Sequence, residues 1–373
     1  MNAFERIEAV LALEKPDRVP LSPLLDHWAA TYTGLTNARL MQDPEARIQA
    51  VLRTAKDFQW DMTTIADTAN PTLLRLGVPQ RLLLPGVDLP ERSVHQFEEK
   101  GFLMAEDYDL LAAEGLFPFL QVVMERIYPE TTLESALRDL SEASREIDEH
   151  LRCVTEAGIV PAVGFVLPGP AFEYFCLGRG ITETALDLRR RLGKMREAAR
   201  AFREGMLPLA VEAVERNAVR RVFIGMSRSS PAFIPPQIFE ELVLPDLEFY
   251  VDGLTQARIV PWFHFDTDWT RFLPYFRKFP RASCAAEFDG FTDMVKAREI
   301  LGGIMAIKGD VPASLLAFGT RDEVLEYCRD LILKVGRQGG FILSSGCSIP
   351  ANARVENVRA MTEAVETWGR SSG

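Results

Sequence analysis

Eight short apolar runs alternate along this 373-residue chain with amphipathic segments of helix length. That alternation predicts an α/β protein built from repeated strand-helix units around a parallel sheet. Eight runs, several followed by a convincing helix, favour closure into a (β/α)8 barrel over an open sheet. A chain of this length is also routine for one such barrel carrying insertions, so a single domain over residues 1–373 is expected.

The runs cover residues 18–24, 62–66, 159–165, 221–226, 259–264, 282–288, 303–308 and 340–345, each alternating with period two or continuously apolar. Helical periodicity is clearest at 321–335 and 354–368. The stretch from 70 to about 155 is too long for one helix, and Leu82-Leu83-Leu84-Pro85-Gly86 inside it reads as a turn between short strands. A β-rich insertion after strand 2, followed by helices that cover one end of the barrel, is the expectation for it.

Composition excludes several classes. Hydrophobic residues make up 47% and charged residues 25%, enough for a large core and unlike a disordered chain. Acids outnumber bases 53 to 42, for a net charge of −11, which argues against nucleic acid as a partner. The basic run Arg189-Arg190-Arg191 is short and reads as a solvated helix face. No apolar stretch is long enough to cross a bilayer, and the first residues alternate charged with apolar side chains, unlike a signal peptide. Five cysteines without close pairing point to a reducing cytoplasm and not to a disulfide framework.

In a barrel, the residues just after each strand converge at one mouth. They are Asp26 and His27, Asp67, Pro168-Gly169-Pro170, Ser227 and Arg228, His264 and Asp266, Glu287 and Asp289, Asp310 and Cys347. His264, Asp266 and Cys347 offer nitrogen, oxygen and sulfur to one cation, a mixture that zinc accepts while keeping a fourth position open. Glu287 or Asp289 could replace Asp266 as the oxygen ligand, in which case Asp266 would cap a helix starting near Trp269. Asp26, His27, Asp67 and Glu287 are the candidate catalytic residues. Trp262, Phe263, Phe265, Trp269, Phe165, Phe172 and Tyr174 are either ordinary core or the lining of a pocket. Cys153, Cys176, Cys284 and Cys328 lie in apolar or helical contexts and read as structural.

The segments Glu14-Lys15-Pro16-Asp17-Arg18-Val19-Pro20, Ser230-Pro231 through Phe239 with Leu244-Pro245, and Gly339-Gly340-Phe341-Ile342-Leu343 to Cys347 with Pro350 and Glu356-Asn357-Val358 resemble the uroporphyrinogen decarboxylase superfamily. This superfamily also contains corrinoid-linked methyltransferases of the methylcobamide:coenzyme M type. The resemblance implies a TIM-type barrel. Decarboxylases of the family carry an arginine-rich stretch after the first strand, whereas residues 21–32 here contain no arginine. The methyltransferase branch holds zinc with His-x-Cys and a distant Cys, a pattern that maps onto His264, position 266 and Cys347, with Asp at 266.

A carboxylate in place of one thiolate makes a harder zinc that suits an oxygen substrate such as a methyl ether. The resemblance therefore implies a zinc methyltransferase, with the corrinoid (cobalamin) on a separate corrinoid-binding protein, since the chain shows no Asp-x-His-x-x-Gly signature. The other expected partner is a small methyl donor or acceptor, and a homodimer stays open. A cofactor-free decarboxylase using Asp67 or Asp26 is the second reading. A silent barrel that only docks a corrinoid carrier is the third. No glycine-rich nucleotide loop occurs.

Overall fold

The computed structural model describes residues 1–63 and 70–370. Its strands are β1 (Met62–Thr63), β2 (Arg81–Leu83), β3 (Gln96–Glu98), β4 (Val160–Pro161), β5 (Phe165–Leu167), β6 (Arg221–Met226), β7 (Val260–Phe265), β8 (Ala285–Phe288), β9 (Ala306–Val311) and β10 (Phe341–Ser345). Six of them form one parallel sheet in the order β10-β9-β8-β7-β6-β5, and β1 pairs in parallel with β4.

The expected first strand is reduced to isolated bridges, Leu21 with Leu343 and Leu24 with Ser348. Pro20 and Pro23 explain this, because neither has an N–H to give to a ladder. The segment nevertheless lies between β10 and β1, since Ser22 N donates to Leu343 O (2.9 Å) and Asp61 N to Leu21 O (2.9 Å). The expected third strand is split into β4 and β5 where the chain changes partner: Ala162 N donates to Thr63 O, Gly164 N to Arg221 O. Of the second run only Met62–Thr63 is strand among the described residues. The remaining strands fall within three residues of expectation at each end.

Residues 70–156 are mainly helical, which corrects the β-rich expectation. One antiparallel pair, β2 with β3, stands among helices Pro71–Gly77, Asp107–Glu114, Leu116–Ile127 and Leu133–Glu156. The hydroxyl of Tyr128, just beyond a helix end, accepts from Leu82 N at 2.8 Å and so ties the hairpin to the helices.

Both faces of the main sheet are buried from β7 to β10, as the apolar runs require, whereas Val166 on the edge strand β5 is exposed. On β7, Trp262 packs with Met62, Val160, Ala162, Ala285, Ala306 and Ile342, together with Ile7 and Val10 of helix Ala3–Leu11. Phe263 and Phe265 belong to the other core, between sheet and helices. Strand alternation therefore puts His264 on the Trp262 side, with the inner layer. No helix among the described residues is long and apolar enough to cross a membrane.

Candidate metal centre

His264, Asp266 and Cys347 come together at the C-terminal ends of β7 and β10, each with one ligand-type atom within 4.8 Å of the others. Local structure aims each of them. Thr267 adopts φ +72°, a left-handed conformation that turns the chain directly after Asp266. Asp289 secures that turn by accepting from Thr267 N at 2.6 Å, and Trp269 Nε1 donates to Asp266 O at 2.7 Å. The Asp266 carboxylate is thereby left 3.3 Å from His264 Nε2. On the other side Gly346 packs so closely on Asp289 that a Cβ would lie 2.2 Å from Asp289 O, so only glycine brings the Cys347 loop to this position.

His264 is buried, and its Nδ1 lies 2.9 Å from Glu287 Oε1. The other Glu287 oxygen accepts from Trp262 Nε1 (2.8 Å) and Lys308 Nζ (2.7 Å). These residues sit side by side on β7, β8 and β9, where His264 is in register with Glu287 and Glu287 with Lys308. Phe223 stacks on the His264 ring at 5.3 Å. Burial disfavours a charged His264, but hydrogen bonds with Asp266, Cys347 and Glu287 outweigh it and hold the imidazole well above its usual value. Burial likewise opposes charge on Glu287, yet Lys308 and His264 pull its carboxyl down to about 2.

A zinc ion with bonds of about 2.0–2.3 Å places tetrahedral ligand atoms roughly 3.3–3.8 Å apart. The three donors fit such an ion after a small closure, and their N, O and S chemistry is that of a catalytic site with an open position. Glu287 lies on the far ring nitrogen, the usual place of an outer carboxylate that orients a ligating histidine. Asp289 spends its oxygens on the N–H groups of Thr267 and Phe291 (3.1 Å). Asp266 caps no helix, because no α-helix starts near Trp269; the next turn is a short 3-10 segment, Leu273–Lys278, without a side-chain cap.

Asp26 accepts from Ser348 Oγ at 3.2 Å, beside Cys347, while its buried Oδ1 has no hydrogen-bond partner among the described residues. His27 is buried between Asn37 (3.1 Å) and His95 (2.7 Å). Asp67 lies outside the described residues. Ser227 and Arg228 N are held by buried Glu173 at 3.2 and 2.9 Å, which pins the loop after β6. Phe172, Tyr174, Phe263, Phe265 and Trp269 are buried core. Lys308, Phe223 and the Thr267 turn escaped sequence reading. A lysine within the otherwise apolar run 303–308 was the available signal, since a buried charge requires a partner.

Asp310, at the end of β9, accepts from Tyr327 Oη at 3.0 Å. Burial pushes its carboxyl up to about 7, and the charge of Asp289 adds to the shift against the Tyr327 hydrogen bond. A carboxyl raised in the folded chain holds its proton more tightly there, so its contribution to stability is full below the unfolded value and lost as pH rises to about 7. Unfolding in urea should therefore show a loss on the order of a few kcal/mol between pH 4 and pH 7 that Asp310→Asn removes. An identical pH dependence in the variant would reject this role.

A family model described as uroporphyrinogen decarboxylase (URO-D) matches residues 136–368. The chain belongs to the uroporphyrinogen decarboxylase family. Its fold is similar to that of a methyltransferase from Methanosarcina mazei, with a TM-score of 0.72 over 98% of each chain at 14% identity. A B12-independent methionine synthase from Shewanella sp. W3-18-1, in complex with selenomethionine, aligns with a TM-score of 0.49 over 94% of this chain and 96% of that one, at 11% identity. No curated protein matches the chain. Family membership and the Methanosarcina likeness imply an α/β fold of the TIM-barrel class, consistent with the parallel sheet and the flanking bridges. Within this uroporphyrinogen decarboxylase fold the donor cluster occupies the C-terminal strand ends, where barrel enzymes carry out their chemistry.

Proposed function

We propose that this uroporphyrinogen decarboxylase family member is a zinc-dependent methyltransferase that moves a methyl group between a small methyl ether and a corrinoid on a separate protein. The N, O, S donor cluster of His264, Asp266 and Cys347 carries the reading. The Methanosarcina neighbour, itself named a methyltransferase, agrees with it. In this reading residues 1–373 form one (β/α)8 barrel, closed by the segment at Leu21, working in a reducing cytoplasm where the Cys347 thiol stays free.

His264, Asp266 and Cys347 would hold the zinc, which supplies Lewis acidity to the heteroatom bearing the methyl group. One carboxylate and one thiolate just balance a divalent charge, and the carboxylate favours an oxygen substrate. Glu287 keeps His264 Nδ1 engaged, so Nε2 is the atom presented to the metal. Exposed Phe233 and Phe291, in the loops after β6 and β8, provide the aromatic surface at the mouth.

The test mixes the protein with a reduced corrinoid carrier and a panel of methyl ethers, alcohols, amines and thioethers, following the corrinoid spectrum. Methyl-cobalt formation from an ether, dependent on zinc, is expected. Uroporphyrinogen turnover with no corrinoid methylation from any donor would replace this reading by the decarboxylase. Carrier binding without turnover of either would leave a docking barrel.

A further inference from the structure

Lys308 has an unusual position for a lysine. It is 1% exposed, in the middle of β9, and its Nζ meets Glu287 Oε2 at 2.7 Å. An ammonium is almost never fully buried unless it is paired, so Lys308 and Glu287 depend on each other. Glu287 is 2% exposed and is hydrogen-bonded on both oxygens: His264 Nδ1 on one, Trp262 Nε1 and Lys308 Nζ on the other.

We propose that Lys308 is a positioning residue for the metal centre: it anchors Glu287 away from the metal and so holds His264 with Nδ1 protonated and Nε2 facing Asp266 and Cys347. This rests on the zinc reading given above. Three features carry it. The β7-β8-β9 register places the three side chains in one row, so the geometry is built into the sheet. Turning Glu287 toward the metal would abandon Lys308 in the inner layer without a counter-charge, which keeps the protein ligands at three. Pairing with Lys308 also offsets the charge of Glu287, so this carboxylate adds little net charge beside the metal.

The test compares the unsubstituted protein with K308M and with the charge-free E287Q/K308M double variant. Two readouts are taken: zinc affinity by competition with a chromogenic chelator, and the downfield proton resonance of His264 Nδ1–H in metal-free protein. K308M should weaken zinc binding by about 10–100-fold, the usual cost of losing an outer partner. It should also shift or broaden the Nδ1–H signal. The double variant should bind zinc no more weakly than K308M, because both changes act through one hydrogen bond.

Folded K308M with unaltered affinity and an unaltered resonance would overturn the inference. If K308M does not fold, the double variant decides, and unchanged affinity together with an unchanged signal overturns it. Absence of any zinc binding by the unsubstituted protein would instead defeat the zinc reading, while the resonance measured without metal would still report on Lys308.

Discussion

Cys347→Ala is expected to empty the metal centre and abolish the proposed methyl transfer while leaving the fold intact. The thiol is half-buried in a loop held by its backbone: Gly346 N donates to Val311 O (2.8 Å) and Ile349 N to Leu24 O (2.9 Å). Removing sulfur leaves these bonds in place, so thermal unfolding should barely change. A catalytic zinc with three protein ligands tolerates the loss of none, and the fall in affinity should exceed the roughly 10–100-fold cost of an outer partner. His264→Ala should empty the site as well, with an added loss of stability, because Glu287 Oε1 would be left buried without its partner. Metal analysis of the purified variants, with circular dichroism as the control, checks both. Stoichiometric zinc in either variant, or full activity in its absence, would contradict the assignment.

The second large effect concerns the fold. Asp61→Ala is expected to destabilise the chain by about 3 kcal/mol or more, the range for breaking a buried ion pair by removing one member. Asp61 is 2% exposed. It accepts from Leu21 N (2.9 Å), from Arg18 Nη1 and Nη2 (2.7 and 2.8 Å) and from Arg6 Nη1 (3.0 Å). The prolines deprive residues 18–24 of a full ladder, so this carboxylate reinforces the few backbone bonds to β1, such as Asp61 N to Leu21 O, and ties the segment to the N-terminal helix. Arg6 and Arg18 are partly exposed and recover water when released, which places the loss toward the lower end of the range. Urea unfolding measures it. A change below about 1 kcal/mol would show that backbone bonds alone hold the first segment.

Much of the sheet was legible in the chain because a buried strand leaves an apolar run, as at 222–226 and 341–343. The same signal failed at 18–24, where Pro20 and Pro23 keep an apolar segment out of the ladder. It failed again in the insertion, where a single antiparallel pair of three-residue strands stands in place of the β-rich region expected. The aromatic residues near the strand ends were ambiguous for a related reason. Phe263 and Phe265 alternate with Trp262 and His264, and only the packing shows that the phenylalanines face the helices.

The donor types at the centre were set by the sequence alone: a histidine and a carboxylate two residues apart at one strand end, and a cysteine after the last strand. Two residues apart on an extended chain share a face, so that pairing follows from local geometry. Tertiary structure decided the rest. It brought Cys347 across to the pair, assigned Glu287 to the far side of His264, and placed Lys308 behind Glu287. Those relations depend on which strands are neighbours and in what register, and no local pattern encodes them, because they arise only when strands distant in sequence are hydrogen-bonded side by side.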